Sequence, residues 1–399
     1  MKPQIRLDSS RSDLTGDDWR HPIGPAQRFL RCDPTGIAHL SDCAGTILRT
    51  WGEPLQALQW LDSAREAGRR WIGYLSYDLG RFFEPAVGQR HPSQFPLFIF
   101  SQHSLCSSTE ADPTSPCSIR SIAREGNFTR DDYLAAVKRA LEYIAAGDIF
   151  QVNLAQQLRL QTGASPQQIY HSLQQRFSAW YAALLDYGDF ALLSNSPELY
   201  LRTWRDGATR RIETRPIKGT RPLQPQMADE LRESIKDQAE LNMIVDLERN
   251  DLGRICRLGT VCVSEPRMIE QHPTLYHGAA TVCGEIGDEV GLLAILRATF
   301  PGGSITGAPK IRAMQIIDQL EPQARGPYCG AIGYLDADGI MQFNIAIRTL
   351  LMRGSEVTIA VGGGIVADSD ALAEYEETLV KARAALAALG VTGIEGESA

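Results

Sequence analysis

Arg215-Pro216-Ile217-Lys218-Gly219-Thr220 sets a flexible amine between apolar residues and a Gly-Thr turn, in a region where strand and helix patterns alternate without a repeat. An ammonium in water is no nucleophile, but desolvation or a nearby cation favours the neutral amine. Most lysines are solvated surface charges, so Lys218 draws its interest from what surrounds it in the sequence. Residues 228–255 read as one helix, with Leu231, Ile235 and Ala239 at helical steps. Residues 370–389 read as another, with Leu372, Tyr375, Leu379 and Ala382 on the apolar side. Asp237 and Glu240 are three apart on the first, Glu374 and Glu377 three apart on the second, so each helix presents two carboxylates on one face. Opposed, these faces form an oxygen-rich cage. Without His or Cys beside it, such a cage suits Mg²⁺ better than zinc. Taken singly, an acid pair of this spacing is more often a solvated face, and Lys381 one turn beyond Glu377 is equally an i,i+4 ion pair.

Further out lie the remaining candidates. Pro301-Gly302-Gly303-Ser304-Ile305-Thr306-Gly307-Ala308-Pro309-Lys310 leads into a helix over 311–320 and can present backbone N–H groups to an anion, yet Ala308 stands where a Walker lysine belongs. Val361-Gly362-Gly363-Gly364 reads as a second glycine-rich turn, without the βαβ context of a dinucleotide site. Alternation in Gln342-Phe343-Asn344-Ile345-Ala346-Ile347-Arg348 places Arg348 at a strand end, opposite the apolar face, where its planar fork can grip a carboxylate. Glu198 falls between two apolar strands, a setting that raises a carboxyl pKa and suits an acid catalyst. His277 is a lone histidine, a type more often a satisfied core residue than a base.

At 399 residues with 43% hydrophobic residues, the chain holds enough apolar surface for a large core. Its pattern is mixed α/β: residues 1–118 form an N-terminal region ending in a Ser/Thr/Pro-rich loop over 101–118, and residues 119–390 form the catalytic region. The net charge of −8, with no basic stripe, argues against nucleic-acid binding, so any anionic ligand needs local positive charge. The first residues carry no apolar leader and no stretch approaches a membrane span, which gives a cytoplasmic expectation. Eight cysteines without a CxxC pair read as reduced thiols rather than as a zinc site or disulfide framework. None lies in a Gly-x-Cys-x-Gly nucleophile turn.

The chain resembles the chorismate-utilising enzymes, a family that includes anthranilate, isochorismate and salicylate synthases. The resemblance runs over residues 73–385 and rests on Gly73-Tyr74-Leu75-Ser76-Tyr77-Asp78-Leu79-Gly80-Arg81, Asp148-Ile149-Phe150-Gln151-Val152-Asn153-Leu154, the Lys218 motif, Val245-Asp246-Leu247-Glu248-Arg249-Asn250-Asp251-Leu252-Gly253-Arg254, and the two glycine runs. It implies two β-sheets packed face to face, helices outside and the active site in the cleft between. Anthranilate-forming members resemble Pro-Ile-Ala-Gly-Thr where this chain has Lys218; members that aminate C4 of chorismate carry the lysine. The resemblance thus implies amination at C4, for 4-aminobenzoate and folate synthesis, with Lys218 attacking C2 and Glu198 as general acid. It implies His277 as a further catalytic position, Mg²⁺ on Glu240 and Glu377 with Asp237 and Glu374 outside them, and substrate held by Gly219, Thr220, Tyr328, Arg348, Gly362, Gly363, Gly364 and Lys381. It also implies a glutamine amidotransferase subunit that delivers ammonia. The alternatives are an anthranilate- or isochorismate-forming enzyme and a catalytically idle chorismate-binding subunit. Tryptophan-binding relatives carry a Pro-containing segment where this chain has Trp180-Tyr181-Ala182, so tryptophan binding is not expected.

Overall fold

A computed structural model describes residues 3–10, 18–20, 22–106, 119–273 and 275–391. Two antiparallel sheets dominate it. One has eight strands in the order Gln4–Asp8, Tyr181–Asp186, Ala191–Ser196, Thr349–Arg353, Glu356–Ile365, Gln151–Thr162 and Gly307–Ala308, with Ser121–Arg124 also on Gln151–Thr162. The other has twelve: Ile217–Pro222, Leu275–Ile286, Thr209–Arg215, Leu199–Asp206, Met341–Ile345, Ala331–Asp336, Arg69–Leu75, Phe98–Leu105, Ile23–Cys32, Ala38–Asp42 and Ile47–Trp51, with Cys262–Gln271 on Leu275–Ile286.

Side-chain alternation explains how the sheets stack. In Tyr181-Ala182-Ala183-Leu184-Leu185 the odd residues join Ile72, Tyr74, Ile99, Ile332 and Tyr334 of the larger sheet in one buried cluster. The even residues turn the other way, onto helices Pro166–Arg176 and Ala371–Ala388. The outer face of the larger sheet is covered by Pro54–Ser63, Ile235–Gly253 and Leu292–Thr299. Inner strands such as Tyr181–Asp186 are buried along their whole length and carry residues that are almost all apolar. Among the described residues no helix is long and apolar enough to cross a membrane.

Local signals start the helices. Thr129 caps Arg130–Ala145, Ser165 and Gln168 close a capping box at Pro166–Arg176, and Asp370 accepts from the amides of Leu372 and Ala373. The helix read over 228–255 is in fact two, Met227–Glu233 and Ile235–Gly253. Ser234 divides them: its backbone is extended and its hydroxyl accepts from the Asp237 amide, so it ends one helix and caps the next. The second carboxylate helix is found at Ala371–Ala388, but rotated from expectation. Its buried face is Glu374, Thr378, Ala382, Ala385 and Leu386, and Leu372 is 39% exposed. The expected loop over 101–118 begins later, because Phe98–Leu105 is a strand; residues 107–118 lie outside the described ones.

Candidate active site

Lys218 lies on Ile217–Pro222, in the larger sheet, and its amine points towards the smaller one. A methyl group placed on Gly364 would come within 3.3 Å of Lys218 Nζ and 2.7 Å of Gln151 Nε2. The glycine run expected as a turn is therefore strand: Gly362, Gly363 and Gly364 pair with Ala155, Leu154 and Asn153. Absent side chains open room for the lysine there. They also let helix Ala371–Ala388 lie close, so that Lys381 Nζ donates to Gly362 O at 2.9 Å.

Burial lowers the Lys218 pKa and the Lys381 charge pushes the same way, while Glu240, Glu198 and Glu377 pull it back. Glu198, only 4% exposed, is pushed up to about 7 by burial, against the pull of its hydrogen bond with Ser304, of Lys218 and of Arg348. Amine and carboxyl are thus displaced in opposite directions, each towards its neutral form. Ser304 comes from the Pro301–Lys310 run, whose Gly303–Ile305 turn precedes helix Lys310–Leu320 as the sequence indicates. Lys310 itself is spent on Asp251 and the Thr299 carbonyl.

Arg348 is not on a strand. The strand ends at Ile345, and Arg348 adopts φ 48° at the bend where the chain leaves the larger sheet for Thr349–Arg353 of the smaller. A left-handed arginine is uncommon; Asn195 N donates to its carbonyl at 3.0 Å and helps hold it. Burial pushes its guanidinium down to about 10, opposed by Glu198, so it keeps its charge at neutral pH. His277, 1% exposed, shares a 2.9 Å hydrogen bond between Nδ1 and Thr220 Oγ1. Burial first, then Arg348, holds its pKa well below the usual range, so it is a neutral imidazole.

Glu240 and Glu377 act on the same amine, and Asp237 and Glu374 lie one turn before them on the same two helices. Asp237 takes an Arg221 hydrogen bond at 3.1 Å, Glu374 takes one from Ser369 at 2.6 Å, and Glu377 pairs with Lys381 at 2.7 Å. Glu240 makes no hydrogen bond or ion pair among the described residues; burial raises its pKa, and repulsion from Asp237 and Glu377 adds to this, opposed by Lys218 and Lys236. Glu374 is likewise raised by burial, and Glu377, against partial desolvation of its half-exposed carboxylate, is held low by Lys381. Hard oxygen donors that repel one another suit a hard divalent cation. Still, no three Asp, Glu, His or Cys side chains converge in a metal-holding arrangement among the described residues. Tyr328 is not drawn into the cluster by any contact: it is buried beside Arg325 and Cys329 and lines a separate cleft with Arg159, Thr349 and Arg353.

Buried polar atoms without partners outline the remaining wall. They are Gln151 Nε2 and Oε1, Asn153 Oδ1 and His277 Nε2. Leaving such groups unpaired costs about 1–3 kcal/mol each, so these four are positions at which a polar ligand would gain hydrogen bonds. Gln151 and Asn153 were not singled out from the sequence. The signal was present in Gln151-Val152-Asn153-Leu154, where polar residues alternate with apolar ones on one buried strand. Glu248 was missed as well. It is 6% exposed, accepts from Thr214 Oγ1 at 2.9 Å, and is pushed up to about 8 by burial, with Glu198 repulsion adding to the rise.

Comparison with known proteins gives this arrangement a lineage. Residues 101–387 match the model of a family described as chorismate binding enzyme. The chain is 43% identical over 263 residues to aminodeoxychorismate synthase component 1 of Escherichia coli (strain K12), covering 64% of this chain and 57% of that one. It is 44% identical over 271 residues to anthranilate synthase component 1 of Thermus thermophilus, covering 66% of this chain and 58% of that one. The matches therefore span less than two thirds of either relative. The crystal structure of anthranilate synthase component I from Streptococcus pneumoniae TIGR4 superposes with a TM-score of 0.77 at 26% identity, over 95% of this chain and 94% of that one. The match over residues 101–387, taken with two stacked antiparallel sheets enclosing the cleft, makes this chain a member of the chorismate binding enzyme family.

Proposed function

We propose that this chain aminates chorismate at C4, giving 4-amino-4-deoxychorismate and water. The observation that carries the reading is a half-buried, desolvated amine and a buried carboxyl, Lys218 and Glu198, each displaced towards its neutral form in one cleft. Neutral Lys218 Nζ adds at ring carbon C2, the two ring double bonds shift from C1=C2 and C5=C6 to C1=C6 and C4=C5, and the C4–O bond breaks. Glu198 gives its proton to the departing oxygen, which leaves as water. Ammonia then bonds to C4 as the C2–N bond breaks and the lysine is released, and the proton shed by the new amine restores Glu198. Arg348 and Lys381 offer the charge that two substrate carboxylates require inside an acidic protein.

Glu240 and Glu377 would hold Mg²⁺ directly, with Asp237 and Glu374, already hydrogen-bonded elsewhere, behind them. The ion would neutralise a substrate carboxylate. Glu377 reaches that role by releasing Lys381, which is then free for the substrate. Ammonia would come from a glutamine amidotransferase partner.

Amination at C2, giving anthranilate, is the second reading, favoured by the 44% identity to an anthranilate synthase component 1. Mass-resolved analysis of product from chorismate, Mg²⁺ and ammonium separates the two, with Lys218→Ala run alongside. Amination at C4 is expected from the wild type and a fall of roughly a thousandfold or more from the variant, with residual product at C2. Anthranilate from the wild type would overturn the assignment, and full C4 amination by the variant would remove the covalent role.

A further inference from the structure

The structure points to a second reactive site, remote from the Lys218 cleft. Cys262 opens the strand Cys262–Gln271 and stands in register with Cys283 on Leu275–Ile286. Directly opposed residues of an antiparallel pair project to the same face, with Cα atoms about 4.5–5.5 Å apart, inside the range a disulfide spans. The thiols meet accordingly: their Sγ atoms are 3.4 Å apart. Cys262 is exposed and Cys283 buried, so one thiol is open to solution and the other is held for it.

A third thiol gives an internal comparison. Cys256 packs over Gly284, where an added methyl would lie 2.6 Å from its Sγ. Successive residues of a strand face opposite ways, so Cys256 lies across the sheet from the face that Cys262 and Cys283 share. Proximity in sequence would allow either partner for Cys283; the register selects Cys262.

We propose that Cys262 and Cys283 form a reversible cross-strand disulfide when the protein meets a peroxide. The Cys262 thiolate attacks the peroxide O–O bond, giving a sulfenic acid and, with hydrogen peroxide, water. The Cys283 sulfur then displaces the sulfenic oxygen as a second water, so two thiols and one peroxide become one disulfide and two waters. The bond ties an edge strand whose pairing is interrupted by register shifts between Val263 and Glu265 and between Glu265 and Met268. Its effect is to stabilise that hairpin rather than to switch catalysis, because six residues of strand, about 20 Å, separate Cys283 from His277.

The test is hydrogen peroxide titration of the full chain, followed by differential alkylation and peptide mass analysis. A Cys262–Cys283 linked peptide pair that forms first, reverts with dithiothreitol and raises the thermal midpoint by a few degrees is the expected result. Cys262→Ser, at an exposed position, should leave Cys283 alkylatable and abolish the rise without changing chorismate turnover; Cys262→Ala should match it, and Cys256→Ser should still form the link. A Cys256–Cys283 link, dimers through exposed Cys43 with both partners still alkylatable, or sulfinic acid at Cys262 beside an intact Cys283 thiol would each overturn the proposal.

Discussion

Single residues in the cleft work against their solvated preferences, and pH shows this most directly. Glu198 has a folded pKa pushed up to about 7 chiefly by burial, so its protonated, acid-competent form is full below that value and lost as pH rises through it. Lys218, lowered by burial, gains its neutral form in the opposite sense. With rates referred to free ammonia, kcat/KM for chorismate is therefore expected to be bell-shaped, flat between the Glu198 and Lys218 pKa values and falling by roughly tenfold per unit outside them. A Glu198→Gln variant that keeps wild-type kcat/KM and the same pH profile would exclude Glu198 as the acid. Glu377 answers a different question. Its carboxylate is half exposed and already paired with Lys381, so that pair is worth little to stability. Glu377→Gln should leave the fold intact yet raise the Mg²⁺ concentration for half-maximal turnover by at least about tenfold, and unchanged metal dependence in that titration would take Glu377 out of the cage.

At the scale of elements, one turn of chain fastens the two sheets together. In the short Asp18–Arg20 helix Trp19 is fully buried, stacks edge-on to Tyr181 at 5.4 Å, lies 6.2 Å from Tyr334, and donates from Nε1 to Ala182 O at 2.9 Å. Trp19→Ala should cost about 3–5 kcal/mol in denaturant unfolding, and free indole should restore part of it by refilling an apolar cavity with a ready acceptor. Loss under about 1 kcal/mol would mean that the sheets close without this wedge. None of this was legible in the sequence, because Trp19 is a lone aromatic in a polar stretch whose partners come from distant strands. Chemistry-bearing residues on regular spacings were legible: the acids of both helices, Glu198 between two strands, Lys218 beside a glycine. What failed were readings decided by one backbone position or by a facing element. Ser234 splits a stretch of uniform helical composition, and three glycines continue a strand because a helix must approach them. In helix Ala371–Ala388 Glu374 and Thr378, rather than Leu372, turn inward, with Glu374 set against Gly363 of that strand.

For the whole molecule, the division at residue 118 concerns whether the chain has parts that fold alone. Strand Ala331–Asp336 pairs on one side with Met341–Ile345 and on the other with Arg69–Leu75, in register from Ala331↔Leu75 to Asp336↔Arg70. The strands before residue 118 thus continue the larger sheet from its middle outward, and Gln4–Asp8 adds the border strand of the smaller one. Removing them would bare the backbone edge of a strand that is buried along nearly its whole length, and would uncover Ile332 and Tyr334 in the inter-sheet core. The Arg70–Asp336 ion pair, with Arg70 1% exposed and stacked 3.7 Å over the Tyr334 ring, crosses the same boundary. Residues 119–399 expressed alone should consequently aggregate or lack a cooperative thermal transition, whereas the full chain should unfold in one. A monomeric fragment melting near the full-chain midpoint would show instead that the catalytic region is a domain in its own right. The cleft depends on the outcome, since Lys218 comes from the larger sheet, Glu198 from the link between the two sheets, and Gly364 and Gln151 from the smaller. Only the packing of one sheet on the other keeps the amine within 3.3 Å of the space that Gly364 leaves open.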